Sequence, residues 1–176
     1  LFKSTTLARF AWNLLTCSGL VLAAATPTMA QAAETAVAAP SPDFALRSLT
    51  GENVRLSEMR GSVVLLGFWA RWCGDCRQAM QALNEVQAKY ERAGLVILGI
   101  DVDDTVEQAA AMTHSLGLTY PVLVDIYKSA SSQFNLKSMP LLVLIDRSGQ
   151  VRYSHTGFER GHEQLITEHL RQLLNE

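Results

Sequence analysis

The sequence has three cysteines, five prolines and no surplus of either charge: fifteen Lys and Arg stand against seventeen Asp and Glu in 176 residues, a formal net charge of -2. Without a basic excess nothing neutralises a phosphate backbone, so a nucleic-acid partner is excluded on electrostatic grounds. Three cysteines are too few to staple a small disulfide scaffold. The apolar stretch over residues 10–25 is broken by Asn13, Thr16, Ser18 and Gly19, which leaves it weak beside the ~20 residues of a membrane-spanning helix. What is present is apolar: 48% of the chain is hydrophobic, 18% is charged, and the eleven glycines are dispersed. Neither a disordered nor a fibrous chain has that composition. The length suits one globular domain plus some extra sequence and excludes two large domains.

The extra sequence lies at the start. Lys3 and Arg9 precede the apolar stretch, and Ala30-Gln31-Ala32 follows with small residues at the two positions a signal peptidase reads. Residues 1–32 are therefore expected to be a cleaved signal peptide that exports the protein to the periplasm or cell envelope. Lipid attachment at Cys17 would want Gly or Ala before it, where the sequence has Thr16, so Cys17 reads as an incidental hydrophobe. Residues 33–42, Ala-rich with Pro40 and Pro42, read as a flexible linker. The domain is expected over residues 43–176.

Within it, Thr50-Gly51 separates two short extended pieces, which predicts an N-terminal hairpin. Residues 63–69 form a continuous apolar run rich in branched and aromatic side chains, the pattern of a strand buried on both faces. Met80, Leu83, Val86 and Tyr90 recur at helical spacing before Gly94, predicting a helix over residues 74–92. A second apolar run at 95–100 precedes Asp104 and Glu107 at capping-box spacing and a helix over 105–116. A short helix near 131–134, an apolar run at 141–145, a Ser148-Gly149 turn, a further strand and a Leu-spaced final helix complete the chain. The fold class is α/β, a mixed central sheet with helices on both faces.

Chemistry concentrates in Trp72-Cys73-Gly74-Asp75-Cys76, at the hand-over from the apolar strand to its helix. A thiol at a helix N-terminus meets unpaired amides and the positive end of the dipole, which stabilise the thiolate. Cys73 is thus expected to attack a substrate disulfide, and Cys76, one turn on, to resolve the mixed disulfide. A zinc knuckle would need more ligands than the mature chain supplies, and the four histidines lack ligand spacing and read as surface or half-buried groups. A Cu(I)-binding module is the rival from another class, because Cys73, Cys76 and Met139 are soft ligands.

Phe68-Trp69-Ala70-Arg71-Trp72-Cys73, the two-residue cysteine spacing and Met139-Pro140 before a strand resemble the thioredoxin superfamily. Pro42-Asp43-Phe44, an insert over residues 118–134 and Leu144-Ile145-Asp146-Arg147-Ser148-Gly149 are most similar to its TlpA-like branch, bacterial reductases of the cell envelope. The resemblance implies a thioredoxin fold and a cis bond before Pro140. It also implies dithiol exchange with protein substrates, a membrane dithiol as electron donor, and no cofactor beyond a redox-active Cys73–Cys76 disulfide. Trp72, Met139 and Pro140 would shape the substrate groove, with Asp75 and Arg71 as tuning residues. The sequence departs from that pattern in three places. Asp75 stands where many relatives have proline, while Gly67 and Ala79 stand where relatives carry the acid that accepts a proton from the second cysteine. Water, Asp75 or another carboxylate would take that part. A peroxidase or a general oxidant on the same fold is the enzyme rival.

Overall fold

The computed structural model describes residues 34–103 and 105–176; the signal-peptide and Cys17 readings and Asp104 lie outside them. Eight strands form one mixed sheet in the order β1-β8-β7-β4-β5-β6-β2-β3. They are β1 (Glu34–Pro40), β2 (Ala45–Ser48), β3 (Asn53–Arg55), β4 (Val63–Trp69), β5 (Leu95–Asp101), β6 (Val122–Val124), β7 (Leu141–Ile145) and β8 (Gln150–Thr156). The helices are α1 (Cys76–Tyr90), α2 (Val106–Leu116), α3 (Ser129–Gln133) and α4 (His162–Leu174). β4, β5 and β6 run parallel, and every other pairing is antiparallel.

β4 is buried at all seven positions because each of its faces meets a separate core. Val63, Leu65 and Trp69 enter a cluster with Met80, Leu83 and Val86 of α1, Met112 and Leu116 of α2, and Ile166, Leu170 and Leu173 of α4. Val64, Leu66 and Phe68 enter the other, with Phe44, Leu46, Leu56 and Ala130. Alternation with a period of two explains both memberships from one continuous apolar run. Helices cover both faces as expected, but unequally: among the described residues the second face is covered by the short α3 and a single 3-10 turn over Leu56–Met59, and Phe134 just beyond α3 adds to the cover, its ring 5.4 Å from that of Phe68 and 6.1 Å from that of Phe44.

Several boundaries differ from the sequence reading. Residues 34–40, read as a tether, form β1, which pairs with β8 from Glu34↔His155 to Pro40↔Gln150 with a register shift between Ala36 and Ala39. β8 would otherwise leave a seven-residue row of backbone groups unpaired, and an Ala-rich extended segment satisfies it without needing a core-facing side. The helix expected from residue 74 begins at Cys76. α2 is capped by Thr105, whose Oγ1 accepts from the Gln108 amide at 3.3 Å, and it ends on Gly117 in the left-handed conformation that glycine adopts at no steric cost. His155 and His162 are buried, not half-exposed, at 3% and 7%; His155 Nε2 lies 3.3 Å from His169 Nδ1, and the His169 ring stacks on Tyr153. No helix among the described residues is long and apolar enough to cross a membrane.

Candidate active site

β4 delivers the chain to the carboxyl edge of the sheet, where the loop to α1 must leave the ladder without stranding its amides. Three bonds hold it. The Val102 amide donates to the Trp69 carbonyl at 2.9 Å, the Cys73 amide to the Ala70 carbonyl at 3.1 Å, and the Arg71 amide to Oδ2 of Asp103 at 2.8 Å. Cys73 and Cys76 are joined by a disulfide with Cα atoms 5.4 Å apart. Cys76 is fully buried in the core cluster under α1, whereas Cys73 is partly exposed at its margin. The helix start falls on Cys76, so Cys73 lies in the turn before α1 rather than on its first residue, because Gly74 and Asp75 are spent on that turn. Asp75 occupies the cap position, exposed, with its carboxylate capping no amide.

The Met139–Pro140 bond is cis. Pro140 is buried, and its carbonyl accepts from the Gly157 amide at 2.8 Å. Met139 is half-buried and packs against both core clusters, which a flexible thioether can do where two layers meet. With Trp72, Val102, Leu136, Lys128 and Lys137 it lines a groove of about 370 Å³. Trp72 is 69% exposed, a large aromatic side chain open mostly to solvent. Trp72 and Met139 therefore line one groove, with Cys73 beside Trp72 and Pro140 beside Met139 in the chain. Arg71 joins the site through its backbone amide, while its side chain is exposed.

The absence of an acid at 67 and 79 has a packing explanation. A Cβ at Gly67 would stand 3.2 Å from both Leu83 Cδ1 and Met80 Cε, and Ala79 is fully buried. Both positions are filled by core. The carboxylates near the loop come instead from the end of β5, which sequence reasoning missed. Asp101 and Asp103 are 1% and 4% exposed, and Oδ1 of Asp101 accepts from the Asp103 amide at 2.8 Å. Oδ2 of Asp101 has no hydrogen-bond partner among the described residues. Burial pushes the Asp101 carboxyl up to about 7, helped by the negative field of Asp103 and opposed by the Asp103 amide and by Lys128. The only sequence signal was an acid inside a strand that otherwise reads as buried.

Comparison with known proteins fixes what this arrangement belongs to. Residues 37–154 match the AhpC/TSA family. The chain belongs to that family. Among AhpC/TSA relatives it is 34% identical over 122 residues to the thiol-disulfide oxidoreductase ResA of Geobacillus kaustophilus, covering 69% of this chain and 70% of that protein. It is 34% identical over 119 residues to the thioredoxin-like protein YneN of Bacillus subtilis, covering 66% and 69%. A Chlorobium tepidum protein assigned as thiol:disulfide interchange protein DsbE superposes with a TM-score of 0.75 at 34% identity, covering 78% of this chain and 96% of that one. This AhpC/TSA member has the thioredoxin-like fold of the TlpA-like branch, and it is a thiol-disulfide oxidoreductase.

Proposed function

We propose that the protein is an exported reductase of protein disulfides, with Cys73 attacking and Cys76 resolving. The observation that carries the roles is the difference in burial across the disulfide: Cys73 reaches solvent beside the exposed Trp72, and Cys76 has no exposed surface. In the reduced enzyme the Cys73 thiolate attacks one sulfur of the substrate disulfide, and the other leaves as a thiolate that takes up a proton. Cys76 then loses its proton and attacks Sγ of Cys73, releasing the second substrate thiol and closing the Cys73–Cys76 bond, so two electrons pass to the substrate. Trp72, Met139 and Pro140 hold the substrate segment in the groove. Asp75 tunes Cys73, and a membrane dithiol returns the electrons that an oxidising compartment cannot supply.

Trapping tests the roles. Cys76→Ser should accumulate a mixed disulfide with an unfolded disulfide protein such as insulin, and Cys73→Ser should accumulate none. Iodoacetamide should label Cys73 first in the reduced protein near neutral pH. A mixed disulfide formed through Cys76, or its earlier labelling, reverses the assignment. Export is checked by the mass of the protein recovered from the cell envelope, which should correspond to a chain starting near Ala33.

A further inference from the structure

We propose that Asp101 is the acid that exchanges a proton with Cys76 during each turn of the dithiol cycle. This rests on the reductase reading above for the resolving role of Cys76, and it assigns the part that positions 67 and 79 leave unfilled. Three carboxylates are buried among the described residues: Asp101, Asp103 and Asp125. Asp125 is spent on the start of α3, where it accepts from the amides of Ser129, Ala130 and Ser131 and from the Ser129 hydroxyl. Asp103 holds the Arg71 amide with Oδ2. Of the three, only Asp101 keeps a buried oxygen, Oδ2, with no partner among the described residues. Asp75 is exposed, whereas Cys76 lies wholly in the core.

The strands bring this oxygen to the side and the end of the sheet where Cys76 lies. Along β5, Leu95 and Ile97 enter the cluster under α1, while Leu98, Ile100 and Val102 enter the other, so alternation turns Asp101 toward α1. Its register partner on β4 is Trp69, which shares that cluster with Cys76, and neighbouring strands stand only about 4.8 Å apart. Residues 70–75 are all that separate Trp69 from Cys76, and the Cys73 amide folds them back onto the Ala70 carbonyl at 3.1 Å. A Cβ at Gly99 would stand 3.4 Å from Nε1 of Trp69, so the indole N–H overhangs the position that precedes Asp101 on this face. Nε1 is likewise buried without a partner among the described residues. A bare donor and a bare acceptor thus border one patch of a packed interior, where polar groups are otherwise paired. A carboxyl that gains and loses a proton there accounts for the open oxygen.

The surroundings suit that exchange. The register partners of Asp101, Trp69 on β4 and Val124 on β6, carry no charge, and Arg77 of α1 turns its guanidinium to Sδ of Met112 at 3.6 Å. The Asp103 carboxylate favours the neutral form of Asp101 and the Lys128 ammonium the ionised one, but burial dominates and pushes the carboxyl up to about 7, where a proton passes either way at ordinary pH. When a substrate is reduced, the S–H bond of Cys76 breaks and its proton goes to the Asp101 carboxylate. The electron pair left on sulfur forms the bond to Sγ of Cys73 as the bond from Cys73 to the substrate sulfur breaks. When an incoming dithiol attacks Cys73 of the oxidised protein, Sγ of Cys76 leaves with the pair of the broken disulfide and takes the proton back from Asp101.

The test labels the protein with carbon-13 at cysteine Cβ and aspartate Cγ and follows both by NMR against pH. In the reduced parent, Cys76 and Asp101 should share two midpoints, as a coupled pair does. Asp101→Asn keeps an oxygen for the Asp103 amide and should leave Cys76 a single midpoint, lower by about one pH unit because no carboxylate repels the thiolate. The pH profile of insulin reduction should lose one inflection in that variant. Asp104→Asn, which removes the neighbouring acid in the sequence, should leave Cys76 as it is in the parent. Separate single midpoints for Cys76 and Asp101 in the unmutated protein overturn the proposal whether or not Asp101→Asn folds. A shift of Cys76 by Asp104→Asn as large as that by Asp101→Asn overturns it as well. Coupled midpoints in a protein that does not reduce insulin retain the proton exchange and overturn the reductase reading alone, since the titrations need no substrate.

Discussion

Asp101→Asn removes one ionisable proton from the buried end of β5 while keeping the shape and an oxygen for the Asp103 amide. The parent carboxyl is held at about 7 from an ordinary 3.8, so the folded protein prefers it neutral, while the unfolded chain ionises it near 4. A raised carboxyl contributes stability that is fully present below the unfolded value and lost as pH rises through the folded one. Each tenfold change in proton affinity corresponds to about 1.4 kcal/mol. Folding raises the affinity here roughly a thousandfold, which sets an upper limit of about 4 kcal/mol lost between pH 4 and pH 8. The groups facing Asp101 include the Asp103 carboxylate, which enlarges the loss, and the Lys128 ammonium, which reduces it. Urea unfolding of the oxidised protein and of Asp101→Asn at several pH values measures the difference. The asparagine variant should be the more stable of the two at pH 8, and its advantage should disappear by pH 4. A difference that stays constant across that range would refute the buried, raised carboxyl and the reading of β5 built on it.

His155 gives the opposite sign. Burial first, then the positive fields of His169 and His162, holds its imidazole down at about 4. Its contribution is present above about 6.5 and lost as pH falls toward 4, at no more than about 1.4 kcal/mol per pH unit. His155→Leu should therefore lose less thermal stability than the parent between pH 7 and pH 4.5, and an identical loss in both proteins would remove His155 from the acid response. Met139→Thr takes away a thioether shared by both core clusters and should cost about 1 kcal/mol of stability. It should also widen the range of disulfide substrates, shift the reduction potential measured against glutathione, and weaken any Cu(I) binding by the Cys73–Cys76 pair. If activity on two unrelated substrates, potential and copper affinity all match the parent, Met139 has no part in the site.

The apolar run of β4, the cysteine pair at its end and the Met139-Pro140 step were legible because each is a local pattern: period-two burial, a spacing and a dipeptide. The start of α1 was misplaced by two residues because the turn that carries the motif consumes residues that helical periodicity alone assigns to the helix. β1 was missed for a different reason: an edge strand needs only a partner's unpaired backbone, and an Ala-rich sequence gives no sign that one exists. Asp101 and Asp103 escaped notice because their importance lies in what folds over them. Nothing in a carboxylate's neighbours along the chain tells that its partner will be the amide of Arg71, thirty-two residues away. The lysines of the groove were invisible likewise, since Lys128 and Lys137 reach the disulfide's neighbourhood only through the path from β6 to β7.

The two margins of the sheet bear on how such an enzyme lets go of what it handles. One margin is β1, with a proline at its end and a slip of register at its middle; the other is β3, three residues long with an arginine at its end. Neither presents a long, regular row of donors and acceptors on which an unfolded chain would zip. A thiol-disulfide oxidoreductase that acts on proteins meets them when they are extended, the state most prone to adding a strand to an open sheet. With its margins blunted, this sheet offers such a chain little to hold except the short turn beside the sulfurs, so a grip that begins with a disulfide can end when the disulfide is gone.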